Sequence, residues 1–166
     1  TTLFDKQGRG WIGTQNGINL INETTGKFEP VKTPGFSDFH VTGLYQDSWD
    51  QIWLGTTQGL LKYDEEKQFF SEVKNNSNEG ILSARHFLEA KNDDLWFSAA
   101  QGGIYRIRNN TTPLAIPGPS SSKNIITNII RSKNSNLMVS IAREGLFEWK
   151  EDSWSQTLVG GMLNEN

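Results

Sequence analysis

Six side chains stand outside any apolar pattern and carry groups able to hold a polar ligand: His40, Trp49, Gln58, Arg85, Gln101 and Arg143. Arginine and glutamine offer fixed donors, histidine a donor that titrates near neutrality, and an exposed indole a flat face for stacking. Their types suit recognition rather than catalysis. No His-Glu-x-x-His, Gly-x-Ser-x-Gly, EF-hand or phosphate-cradling loop occurs. The acidic runs Asp64-Glu65-Glu66 and Asp93-Asp94 invite a metal or acid–base reading, but both fall where turns are expected, so solvated turn charge is the expectation. No cysteine is present, which excludes disulfides and thiolate metal sites. The expectation is therefore a binding protein that is not an enzyme, with no catalytic residues, no metal and no cofactor.

The elements that must position these groups come from an internal repeat. Asp5, Trp11-Ile12-Gly13-Thr14 and Gly17-Ile18 recur 42 residues on as Asp47, Trp53-Leu54-Gly55-Thr56 and Gly59-Leu60. A third copy centres on Trp96, 43 residues further, and a fourth on Met138, another 42. The units run 1–36, 37–79, 80–122 and 123–166. Each reads as four short strands bounded by Gly, Asn and Asp; in the second copy these are 41–47, 51–57, 60–63 and 68–73, and in the third 83–88, 95–98, 103–108 and 112–116. No stretch has a helical period. Four-stranded units of about 42 residues predict an all-β fold, a β-propeller with four blades.

Within that frame Trp11, Trp53 and Trp96 are expected to be wedges between blades, and the Gly-Thr after them to allow close approach of backbones. The glycine of each second turn (Gly17, Gly59, Gly103, Gly145) is expected at positive φ. Asp5 and Asp47 should cap turns through backbone amides. Loops 37–40, 75–80 and 120–124, with the turns at Gln58, Gln101 and Arg143, should share the binding face. Arg85 and His86 lie on an inner strand, where alternation sends one toward the central channel. Trp49 breaks the repeat by standing in a turn. Net charge is −3 with no basic stripe, so no nucleic-acid partner is expected. No apolar run approaches membrane-spanning length, so no membrane contact is expected within this chain.

The motif of Asp, Trp-Ile-Gly-Thr, Gly-Ile/Leu and Asn22-Glu-Thr-Thr-Gly26-Lys-Phe28 resembles the two-component regulator propeller repeat. That family forms the periplasmic sensor region of hybrid two-component histidine kinases of Bacteroidetes. The resemblance is strong in the first two copies, fair in the third, where Ser98-Ala99 replaces Gly-Thr, and weak in the fourth, where Met138 replaces Trp. It implies a fragment of a larger propeller of about seven blades, a periplasmic location, and a carbohydrate-responsive sensing role with the kinase chemistry elsewhere. The alternative is a protein–protein interaction scaffold with no small ligand. Unpaired blade faces would favour self-association or contact with neighbouring blades or domains of the parent protein.

Overall fold

A computed structural model of the chain describes residues 1–119 and 125–159. The repeat becomes four antiparallel meander sheets. Sheet 1 holds β1 (Thr2–Phe4), β2 (Gly10–Thr14), β3 (Gly17–Ile21) and β4 (Phe28–Pro30). Sheet 2 holds β5 (Val41–Gln46), β6 (Ile52–Thr56), β7 (Leu60–Asp64) and β8 (Phe69–Val73). Sheet 3 holds β9 (Arg85–Glu89), β10 (Leu95–Ser98), β11 (Ile104–Ile107) and β12 (Leu114–Ile116). Sheet 4 holds β13 (Ile126–Arg131), β14 (Leu137–Ile141), β15 (Gly145–Lys150) and β16 (Ser153–Val159). The only helix among the described residues is the 3-10 turn Ala100–Gly102. The chain divides into two compact units, Thr1–Arg85 and His86–Asn166.

In the first unit, Trp11 leaves sheet 1 and buries completely against Ile52, Leu54, Leu61, Tyr63 and Phe70 of sheet 2. Its ring meets Tyr63 and Phe70 edge-on, at 4.8 and 5.6 Å between centroids. Burying an indole removes about 200 Å² from water, worth roughly 5 kcal/mol before entropy is counted. In the second unit Trp96 does the same against Ile126, Ile129, Leu137, Val139 and Phe147. Trp11 and Trp96 are therefore the wedges that the repeat predicts.

The glycine after the indole has a steric cause. A Cβ on Gly55 would lie 1.8 Å from the Ala84 carbonyl oxygen, and one on Gly13 would lie 2.5 Å from Val41 Cγ1. The threonine that follows clasps the next turn: Thr56 Oγ1 donates to the Gly59 carbonyl and accepts from the Gly59 and Gln58 amides. Gly17 and Gly145 take positive φ, at 101° and 113°, but Gly59 does not. Gly103 is also extended, at φ −64°, because residues Ala100–Gly102 wind a 3-10 turn and the left-handed position falls at Gly102.

Candidate functional site

The turn between β5 and β6 is built by Asp47. One carboxylate oxygen accepts the Trp49 and Gln51 amides, and the other accepts the Trp53 indole N–H at 2.7 Å. Asp5 repeats all three contacts with Gln7, Arg9 and Trp11. The capping of backbone amides was legible in the sequence; the buried indole bond was not. Burial would raise the Asp5 carboxyl, but bonds from Trp11 and Arg9 outweigh it and hold the group below its ordinary range.

This turn presents Trp49 to solvent at 60% exposure, beside Asp50 at φ 62°. The equivalent positions in the other copies hold amides: Gln7, Asn92 and Asn134. Trp49 borders a groove of about 690 Å³ lined also by Gln7, Gln51, Lys62, Glu66 and Ser71. Lys62 lies over the Trp53 ring at 5.5 Å, and burial pushes its ammonium below the usual lysine range against the pull of Asp47 and Asp64. Glu65, at the groove wall, takes both guanidinium NH groups of Arg9. Arg9 in turn bonds Asp5 and lies 5.1 Å over Trp11 and 5.5 Å over Tyr63. The bond to Glu65, with that to Asp5, pushes the guanidinium further up from its usual value, and burial raises the Tyr63 hydroxyl. An indole face, a half-buried ammonium, amides and a hydroxyl in one groove suit stacking and hydrogen bonding to a polar ligand.

The other sequence candidates lie elsewhere. His40 and Gln58 are exposed at the opposite end of sheet 2 from Trp49. There Thr57 ties to His40 through two backbone-directed bonds, and Gln58 Nε2 donates to the Ser37 carbonyl at 2.7 Å. Arg85 opens β9, half-buried. His86 follows at φ 51°, outside the extended geometry that alternation assumes, and its Nδ1 lies 2.8 Å from the buried Ser98 hydroxyl. Arg143 is exposed in the β14–β15 turn, at φ 67°. Gln101 belongs to the 3-10 turn, and its side chain lies outside the described residues, as does loop 120–124. The structure thus brings His40 and Gln58 to one corner and leaves Trp49 apart from them.

One reading of an acidic residue needs correction. Asp94 is not a solvated turn charge: it is 2% exposed and accepts from Arg108 Nη2 at 3.0 Å, because the short β10–β11 hairpin sets the two side by side. Glu65, by contrast, is exposed in its turn as expected and pairs there with Arg9. Sequence reasoning also passed over Arg106, which lies 5.4 Å over Trp96 with Nη1 3.6 Å from Asp152. The available signal was an arginine and a turn acid placed near Trp11 and again near Trp96: Arg9 with Asp5, and Arg106 with Asp94. Among the described residues no three His, Asp or Glu side chains gather in a way that could hold a metal. No helix among them is long and apolar enough to cross a membrane.

No family model matches the chain. Histidine kinase P4 of Formosa agariphila is 32% identical over 81 residues, 45% of this chain and 6% of that protein. The extracellular domain of BT4673 from B. thetaiotaomicron, described as part of a one-component or hybrid two-component system, superposes with a TM-score of 0.74 at 18% identity, over 99% of this chain and 25% of that one. Virginiamycin B lyase of Staphylococcus aureus follows at a TM-score of 0.71 and 15% identity, over 94% of this chain and 54% of that one. The sheets are β-propeller blades. Identities this low establish the blade fold alone, and the chain spans only a small part of the histidine kinase and about a quarter of the B. thetaiotaomicron domain. The signalling proteins among these relatives are of the kind the repeat resembles.

Proposed function

We propose that this chain is part of the extracellular, periplasmic sensor region of a two-component-type signalling protein, and that it binds a carbohydrate in the groove beside Trp49 without chemistry of its own. The observation that carries the reading is the exposed indole at a repeat position where the other three blades have amides. The fold does not need Trp49, since Asp47 builds the same turn through backbone amides that Asp5 builds around Gln7. Leaving an indole in water costs burial that the blade could otherwise gain, so a ligand face is its best use. Aromatic stacking with nearby amide, hydroxyl and ammonium groups matches the alternating apolar and polar faces of a sugar ring. The kinase relative and the extracellular B. thetaiotaomicron domain support the sensor setting. The lyase neighbours do not draw the reading toward catalysis: His86 is bonded to Ser98, and His40 stands exposed at a corner.

The test is calorimetric titration of the chain with a panel of neutral and acidic oligosaccharides, alongside Trp49→Ala. Heat with at least one glycan, lost in Trp49→Ala while the melting temperature is unchanged, is the expected result. Silence across the panel would reject carbohydrate as the ligand. Heat that survives Trp49→Ala would move the site away from this groove.

A further inference from the structure

The repeat gives every blade one face that receives an indole and shows what fills it. In blade 2 the receiving row is Ile52, Tyr63 and Phe70, and Trp11 of the preceding blade occupies it. In blade 4 the row is Leu137, Trp149 and Trp154, in register across β14, β15 and β16. Trp96 of the preceding blade lies against it, 5.5 Å from the Trp149 ring. Moving the blade 2 row back by the 42-residue repeat gives Gly10, Ile21 and Phe28 in blade 1. These residues are also in register, with Phe4 paired to Gly10 at the start of the row. A Cβ on Gly10 would meet Ile21 Cδ1 and Phe4 Cε1 at 2.9 and 3.1 Å, so both side chains lie on that one face.

Nothing in the first unit covers this row: Phe4 is 70% exposed and Phe28 62%. They are the two most exposed large apolar side chains among the described residues. Gly10 stands where the filled rows have Ile52 and Leu137, and the side chains of Ile21 and Phe4 close over it to complete the apolar face. We propose that the Phe4–Gly10–Ile21–Phe28 face is a docking surface for one further blade of this same repeat type, presenting an indole from the middle of its second strand. The argument rests on the blade fold and on the two filled rows, and it is independent of the carbohydrate reading.

The test grafts a second copy of residues 38–85, which carries Trp53, directly ahead of Thr1 of the full chain. Hydrogen exchange of the β2 and β3 amides is then compared with the ungrafted chain. The graft should slow that exchange by about tenfold or more. Replacing the grafted indole by alanine, or Phe28 by serine, should each abolish the gain, and combining them should cost no more than either alone. Equal protection in all four fusions, or strictly additive losses, would overturn the proposal. If the graft does not fold, the ungrafted chain decides through binding of the apolar dye anilinonaphthalene sulfonate. Dye that binds and is lost in Phe28→Ser supports an open receiving face, and no difference between the two overturns it. Sedimentation showing a dimer that Phe28→Ser dissolves would assign the face to a second copy of the chain, overturning the choice of occupant.

Discussion

The joint between blades 1 and 2 and the joint between blades 3 and 4 bury the same indole and lock it with opposite polarity. In the first unit the guanidinium over Trp11 comes from the residue just ahead of the second strand, Arg9, and its acids are Asp5 and Glu65. In the second unit the position of Arg9 holds Asp94, and the guanidinium over Trp96 comes from the third strand, as Arg106. Its acids are Asp94 and Asp152. The acid that bonds the indole in blades 1 and 2 is Ala90 in blade 3. The wedge is thus the fixed part of the design, and the charged clasp around it is interchangeable. Burial of an indole is non-directional and large, whereas a partly exposed ion pair contributes little and accepts either polarity.

The largest effect is expected where the two units differ in backbone clearance. Gly55→Ala should cost about 5 kcal/mol or more in urea unfolding, because the new methyl strikes the Ala84 carbonyl. At the equivalent Ser98, Ala should cost about 1 kcal/mol, the worth of its bond to His86. Next come the wedges. Trp11→Ala and Trp96→Ala should each cost about 3–5 kcal/mol. Hydrogen exchange resolved along the chain should place each loss in its own unit.

Asp5 separates the joints more finely. Its carboxyl is held below the ordinary aspartate value of 3.8, so its contribution is complete above that value and drains away as pH falls through the lowered one. Acid unfolding of the first unit should show this dependence, and Asp5→Asn should remove it. The smallest effect should come from the clasps. Arg9→Lys and Arg106→Lys should each cost about 1 kcal/mol or less, since the ammonium keeps the charge but loses the planar stack.

The strands, the wedges and the close glycines were legible because each recurs at one spacing, and recurrence at fixed spacing reports position in a fold. The strand before Trp53 was read one residue too long, because Asp47 already builds the turn; the strand before Trp96 was begun two residues early, at Ser83, which takes φ 54°, and ended one short of Glu89. Gly103 misled because the 3-10 turn Ala100–Gly102 hands the left-handed position to Gly102. The indole–carboxylate bond was present in the Asp5–Trp11 and Asp47–Trp53 spacing, yet its meaning required the hairpin register. Trp49 was visible as an exception to the repeat, but its groove depends on Lys62 and Ser71 from two other strands. Its separation from His40 and Gln58 follows from strand direction.

The most direct test of the joint is a double-mutant cycle between Asp5→Ala and Trp11→Phe, read by urea unfolding. Phenylalanine keeps an aromatic wedge and deletes only the indole N–H. If carboxylate and indole act as one buried unit, Asp5→Ala should cost at least about 1 kcal/mol more with Trp11 than with phenylalanine in its place. Strictly additive costs would show that the acid caps only its turn and that the joint is held by packing alone.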